Sequence, residues 1–300
     1  MNGSQFKQRL AQPNICCLPG IFDFISLKVA DAMGFDALYM TGYGTVASHL
    51  GLPDAGLATY SDMVGRVLGF CAATRTPIVC DGDTGYGGLL NVDHTVRGYE
   101  KAGAAAIQLE DQEFPKKCGH TPGRRVIAAD DMAAKVRVAS EARNQADSIL
   151  IIARTDARTS LGLDEALRRG ERYLRAGADI LFIESPETEE ELATIGRTFA
   201  GVPLVVNNVE GGRTPILPPQ TLQAMGFSMA IYPSLGFLAA GQALREAYQN
   251  LQARAAFQTP TSTPVLHDFQ AFSVMMGFQR VWDFDREHAE SFSPAPAARP

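Results

Sequence analysis

One phrase returns four times along this chain: a glycine closes an amphipathic stretch and opens a short apolar run. Gly34 opens GFDALYM, Gly103 opens GAAAIQL, Gly177 opens GADILFI and Gly226 opens GFSMAIY. A helix that stops at a C-terminal glycine and hands the chain to a buried strand leaves this pattern. Further apolar runs at CCLPG, PIVCDGD, ILIIARTD and PLVVNN bring the strands to eight, starting near residues 16, 37, 78, 105, 149, 180, 203 and 228. They do not alternate apolar with polar, so each is expected to be covered on both faces, as in a parallel sheet. Helical patterns fill the gaps at 23–33, 61–74, 91–102, 130–144, 163–176, 188–199, 218–225 and 235–254. The plainest, GLDEALRRGERYLRAGAD, sets Leu163, Ala166, Leu167, Gly170 and Leu174 on one face. Eight strand-then-helix units predict an α/β fold, a (β/α)8 TIM barrel, over residues 1–255. An open doubly wound sheet is the alternative, but no dinucleotide glycine fingerprint follows the first strand.

Residues 256–300 change character. TPTSTP at 259–264 is linker-like, and HDFQAFSVMMGFQRVWDFDREHAE reads as one or two more helices, apolar enough to need a surface on the barrel or on a neighbouring subunit. SPAPAARP is expected to be a disordered tail. The net charge of −6 argues against nucleic acid or an anionic membrane as the partner. No apolar run reaches the length of about 18 residues that a spanning helix needs. MNGSQFKQRLAQPN lacks an apolar signal core, and five cysteines at irregular spacing do not form a disulfide framework. A reducing, cytoplasmic compartment is expected.

In a barrel of this kind chemistry gathers at the carboxyl ends of the strands. Those ends read Thr41-Gly42-Tyr43, Asp81 and Asp83, Glu110 and Asp111, Arg154 and Asp156, Glu184, Asn207 and Glu210, then Tyr232. Asp81, Asp83, Glu110 and Asp54 offer hard oxygen donors with no nearby His or extra Cys, which favours Mg²⁺ (or Mn²⁺) over zinc. Arg154 ends a long apolar strand and suits capture of a carboxylate or phosphate, or an internal salt bridge to Asp156 or Glu184. The small residues of TGYGT let backbone N–H groups approach an anion. Beyond the fourth strand comes KKCGH, where Lys116, Lys117 and His120 surround Cys118 beside flexible Gly119. That setting predicts a lowered thiol pKa on a loop over the barrel mouth, hence an acid, base or nucleophile. Cys16, Cys17, Cys71 and Cys80 lie in apolar runs and read as small core residues.

Together YMTGYGTVASHLGLPDAG, DGDTGYGG, QLEDQEFPKKCGH, IIARTDA, FIES and NNVEGGRTP resemble the isocitrate lyase / phosphoenolpyruvate mutase superfamily over about residues 10 to 255. KKCGH is similar to its cysteine-bearing branch, which holds 2-methylisocitrate lyases, 2,3-dimethylmalate lyases and petal-death-type lyases; a phosphonomutase carries a similar segment. The resemblance implies a barrel whose eighth helix swaps between partners in a homotetramer, a dimer of dimers. It implies Mg²⁺ on Asp81 and Asp83, with Asp54 and Glu110 reaching it through water. Thr41, Gly42 and Tyr43 would bind the substrate's 2-hydroxy (or 2-oxo) acid, Arg154, Glu184 and Asn207 would position it, and residues 113–124 would form a lid carrying Lys116, Cys118, Gly119 and His120. Retro-aldol cleavage of a 2-hydroxy dicarboxylate would follow, with Tyr39 a candidate base and Cys118 the acid. Phosphonomutase and oxaloacetate hydrolase or decarboxylase activity are the alternatives. Where the methylisocitrate branch carries an arginine after the Tyr-Pro strand end, this chain has Leu238, and the tail near His267 lacks another. A 2-alkylmalate therefore fits better than a tricarboxylate, unless Arg213 or a partner subunit supplies the cation.

Overall fold

Eight parallel strands close into a barrel in sequence order: β1 (Cys16–Ile21), β2 (Leu38–Met40), β3 (Ile78–Asp81), β4 (Ala106–Glu110), β5 (Leu150–Thr155), β6 (Ile180–Ile183), β7 (Leu204–Asn207) and β8 (Met229–Tyr232). The seam is a parallel pairing of β1 with β8, in which Cys16 faces Met229 and Leu18 faces Ile231. The computed structural model describes residues 2–121, 123–260 and 262–288; the expected tail SPAPAARP lies outside them.

Gly34, Gly103, Gly177 and Gly226 all take positive φ, between +75° and +109°. A side chain at such a φ is strained, so the recurring glycine marks where helix ends and strand begins. The helices are α1 (Asn2–Leu10), α2 (Phe24–Ala32), α3 (Gly42–Leu50), α4 (Tyr60–Ala73), α5 (Leu89–Ala102), α6 (Ala129–Ala142), α7 (Ala157–Leu161), α8 (Leu163–Arg175), α9 (Glu189–Thr198), α10 (Pro219–Ala224), α11 (Leu235–Ala255), α12 (Phe269–Met275) and α13 (Phe278–His288). Each of the eight expected strands and helices is present within about two residues of its expected ends. Three helices were not expected: α1, α3 and the short α7. In α1, Phe6 is fully buried against inward-facing strand residues such as Leu18, Tyr39, Val79 and Ile152. The core outside the barrel lies between strands and helices, where Met63, Phe70, Val96 and Tyr99 pack on Ile78, Cys80 and Ile107.

The chain divides into two compact units, Met1–Gly241 and Gln242–Pro300, so the division falls inside α11 rather than at its end. In the second unit Leu244, Tyr248, Leu251, Phe269, Phe278 and Phe284 are exposed. Among the described residues no helix is long and apolar enough to cross a membrane.

Candidate active site

The strand ends deliver their polar side chains to one cavity of about 260 Å³. It is lined by Tyr39, Thr41, Tyr43, Asp54, Asp81, Glu110, Lys116, Cys118, Gly119, His120, Arg154, Glu184 and Asn207, which is every nominated site residue except Gly42 and Asp83. Those two stand directly behind it. A Cβ on Gly42 would meet Asp81 Oδ2, and Asp83 reaches Lys116 Nζ at 2.6 Å.

Each wall has a local cause. Thr41 is the N-cap of α3, and its side chain makes no capping bond. The N–H groups of the first turn therefore have no cap from Thr41, and Thr41 and Tyr43 at this end of the helix line the cavity. After β3 the chain bends sharply: Asp83 adopts φ +48° and its N–H donates to Asp81 Oδ1 at 3.0 Å. Tyr39, buried inside the barrel, donates to Gln108 Oε1 at 3.0 Å, and Gln108 Nε2 donates to the same Asp81 oxygen at 3.4 Å.

The segment after β4 folds back over this mouth. Its base is closed by an antiparallel bridge between Gln112 and Val126, and Gln112 clasps the backbone of Lys117 with both ends of its amide, at 2.8 and 3.0 Å. Lys116 Nζ is buried between Asp54 Oδ1 at 2.5 Å and Asp83 Oδ1 at 2.6 Å. Gly119 lies flat on the site. A Cβ there would fall within 2.8 Å of a Glu184 oxygen and closer still to Arg154, so only glycine lets the backbone sit this low. His120 accepts the Arg213 N–H at Nδ1 (3.3 Å), and its Nε2 lies 3.1 Å from Asn207 Nδ2 and 3.5 Å from Glu184 Oε1.

Arg154 makes both of the salt bridges that the sequence offered as an alternative to substrate capture, and one more. It forks onto Asp156 with two bonds of 2.9 Å and faces Glu110 at 3.2 Å and Glu184 at 3.3 Å. All three of its nitrogens thus face carboxylates, and the residue still lines the cavity.

Two expectations are corrected by burial. The basic neighbours were expected to lower the Cys118 thiol pKa. Burial instead pushes it above its ordinary value, outweighing the His120 backbone hydrogen bond that pulls it down. Lys116, two residues away, is spent on Asp54 and Asp83, and the adjacent Lys117 turns its ammonium to the Gly123 carbonyl. Cys118 thus holds its proton at neutral pH. Burial, reinforced by Asp81, likewise raises the Tyr39 phenol well above its usual value. Tyr39 is a neutral hydrogen-bond donor and not a ready base.

Carboxylates outnumber cations here. Asp54, Asp81, Glu110, Glu184 and Glu210 line the cavity against Lys116, Lys117 and Arg154. Glu110 Oε1 is buried without a partner, and burial holds the Glu110 carboxyl well above its ordinary pKa. Among the described residues no three acidic, His or Cys side chains are arranged as a ready ion cage; Lys116 stands where Asp54 and Asp83 converge. The donor set is nonetheless all hard oxygen with one unsatisfied atom, which fits a small divalent cation. The lining also has an apolar part, Tyr43, Val209, Ile231, Pro233, Phe237 and Leu238, with Glu210 and Ser234 interleaved among them in sequence. Arg213 is not part of it: its guanidinium pairs with Glu187 at 3.1 Å.

The sequence reading missed Gln108, Arg124 and the apolar residues Val209, Pro233 and Phe237. Only strand register and the path of the returning segment reveal them.

A closed (β/α)8 barrel with acids, one arginine and a loop cysteine at its carboxyl mouth defines a class, and comparison with known proteins names it. The family model described as phosphoenolpyruvate phosphomutase matches residues 6–252, and the chain belongs to this family. It is similar to the 2,3-dimethylmalate lyase of Eubacterium barkeri, with 44% identity over 286 residues, 95% of this chain and 98% of that protein. Among solved structures it resembles a 2,3-dimethylmalate lyase (TM-score 0.88, 33% identity, covering 96% of this chain and 95% of that one). It also resembles an oxaloacetate acetylhydrolase bound to 3,3-difluorooxalacetate (TM-score 0.89, 31% identity, covering 96% and 97%).

Proposed function

We propose that this enzyme is a Mg²⁺-dependent carbon–carbon lyase that cleaves a 2-alkylmalate-type 2-hydroxy dicarboxylate into a 2-oxo acid such as pyruvate and a carboxylate. The observation that carries the reading is the make-up of the cavity lining. Carboxylates and Arg154 come from the strand ends, and Tyr43, Val209, Ile231, Pro233, Phe237 and Leu238 add apolar surface that can receive an alkyl group, with no arginine among them for a third carboxylate. Lys117, the remaining cation at the mouth, turns its ammonium to the Gly123 carbonyl at 3.3 Å.

Asp81, Asp83, Asp54 and Glu110 would hold the ion. When bound it supplies positive charge that lowers the pKa of the substrate's 2-hydroxyl and offsets the surplus of acids. The first turn of α3 receives the 2-hydroxy acid carboxylate on backbone N–H groups. Arg154, which lines the cavity, takes the second carboxylate, and Asn207, whose Nδ2 donates to Glu184 Oε2 at 3.1 Å, fixes that acid beside it. A carboxylate of the cavity takes the 2-hydroxyl proton, and the 2-oxo group forms as the C2–C3 bond breaks. The bonding pair passes to C3 and its carboxylate, giving an enediolate that takes a proton at carbon. Cys118, neutral and facing the cavity, is the donor. The segment lying over the mouth keeps water from that carbanion equivalent.

Supporting the likeness to other family activities, the oxaloacetate acetylhydrolase neighbour favours a second reading, attack on oxaloacetate in the same cavity. The test is a panel of 2-hydroxy diacids, oxaloacetate and phosphonopyruvate with Mg²⁺, following 2-oxo acid release and oxalate. Release of pyruvate from 2,3-dimethylmalate, and its loss in Cys118→Ser, are expected. Oxalate forming faster than any malate is cleaved, or full turnover in Cys118→Ser, refutes the lyase mechanism. For the assembly, we infer a homotetramer in which the exposed apolar residues of the second unit are covered by partner subunits, and a cytoplasmic setting from five unpaired cysteines.

A further inference from the structure

Beneath the site lies a second tier of buried charge that the reaction itself does not use. Asp156 follows β5 and is fully buried. Its Oδ1 accepts from three directions: Arg154 Nη2 at 2.9 Å, Arg124 Nη1 at 2.5 Å and Gln112 Nε2 at 3.3 Å. Its backbone is pinned as well, since the Asp156 N–H donates to Asp111 Oδ1 at 2.9 Å. Asp111 is in turn held by Thr155, Arg169 and Tyr173 at 2.7–2.9 Å. Arg124 comes from the strand-like return of the covering segment. Its side chain is 1% exposed, and its second arm donates to Thr159 Oγ1 at 2.8 Å.

The charges show why a second guanidinium is needed there. Arg154 faces three carboxylates, Asp156, Glu110 and Glu184. One cation so surrounded has little field left for an incoming anion. Arg124 draws on the same Asp156 oxygen and takes a share of its charge, which leaves Arg154 more positive toward the cavity. It also fixes the carboxylate plane that forks Arg154, and so fixes the guanidinium's direction.

We propose that Arg124 is a positioning residue for anion capture, acting through Asp156 on Arg154. The proposal rests on Arg154 being the anion-binding group of the proposed lyase. It makes the binding strength of the barrel wall depend on a residue carried by the segment that covers it.

The test is calorimetric titration of oxalate, a planar dicarboxylate, into the full-length protein with excess Mg²⁺. The variants are Arg124→Met, Arg124→Lys, Asp156→Asn and the Arg124→Met/Asp156→Asn double. Arg124→Met is expected to weaken oxalate about tenfold, and Arg124→Lys, which keeps the charge, by no more than about threefold. In Asp156→Asn, Arg154 swings toward Glu110 and Glu184 and binding again falls about tenfold. Because both act along one path, the double variant is expected to bind no more weakly than Asp156→Asn alone. Two losses that multiply to about a hundredfold, or wild-type affinity in Arg124→Met, overturn the proposal. If Asp156→Asn does not fold, the Met and Lys variants at 124 decide by themselves: equal losses in the two overturn it. Wild-type protein that fails to bind oxalate overturns the anion-site reading and this proposal with it, whereas tight wild-type binding with unaffected variants overturns only the proposal.

Discussion

Lys116 holds the acids of the site together, and replacing it by methionine isolates that role. The ammonium is 2.5 Å from Asp54 and 2.6 Å from Asp83, and the side chains are 3%, 6% and 7% exposed. At an effective dielectric of about 20, a unit pair at such a distance attracts with about 6 kcal/mol before desolvation. Desolvation cancels much of this, and removing one partner of a buried pair costs about 3–5 kcal/mol, because charge is left buried without a partner. Unfolding entropy of about 0.5 kcal/mol/K for a domain of this size turns 3 kcal/mol into a melting point about 6 °C lower. Methionine keeps the aliphatic stem, so packing changes little. The two freed carboxylates then favour a cation in place of the lost ammonium. In a thermal melt with and without Mg²⁺, Lys116→Met is expected to melt about 6 °C below wild type without the ion and to recover more of its stability than wild type when the ion is added. Calorimetry is expected to show tighter Mg²⁺ binding by about tenfold or more. A metal-free variant as stable as wild type, or Mg²⁺ bound no more tightly, would refute the view that this ammonium and a divalent ion compete for the same acids.

Gly119→Ala drives a methyl group into Arg154 and Glu184. Turnover is expected to fall by more than tenfold, with a melting point within about 3 °C of wild type because the segment can lift; steady-state kinetics beside a melt checks both. Because burial raises the Cys118 thiol, alkylation by iodoacetamide is expected to be about tenfold slower at pH 7.5 than for a free thiol and to climb steeply only above the ordinary thiol range. Peptide mass spectrometry against pH reads it, and fast labelling at pH 7 would contradict the assignment of Cys118 as a protonated acid. Leu238→Arg puts a cation in the apolar part of the lining. The ratio of kcat/KM for a tricarboxylate over a 2-alkylmalate is expected to rise about tenfold or more, and an unchanged ratio would remove that part from substrate choice.

Much of the site was legible because a parallel barrel ties function to sequence position. Once the strands are counted, their carboxyl ends name the site, and Asp81, Glu110, Arg154, Glu184 and Asn207 all follow. What stayed hidden is what burial and register decide. GYGTVASHL carries two glycines and reads as a loop, yet it forms α3, since tertiary packing of Thr45 and Val46 outweighs poor propensity. In α8 the expected face is the one packed inward, with Ala166 and Gly170 buried and Leu163, Leu167 and Leu174 against the core, but Arg169 and Tyr173 also turn inward to satisfy Asp111. No periodicity rule predicts a buried arginine. Cys118 was misjudged for a related reason: sequence shows which charges are near in the chain, but not that Lys116 is occupied elsewhere or that the thiol is shielded from water.

The first turn of α3 stands beside the cavity on two glycines, Gly42 and Gly44, where any Cβ would run into Asp81 or into Phe22 and Phe237. A turn so packed admits little change, while Leu238 and its neighbours in the cavity lining are ordinary side chains, half-exposed and open to replacement. A lineage built this way can exchange one malate for another, or turn to oxaloacetate, by rewriting a single surface and keeping its grip on the shared acid head.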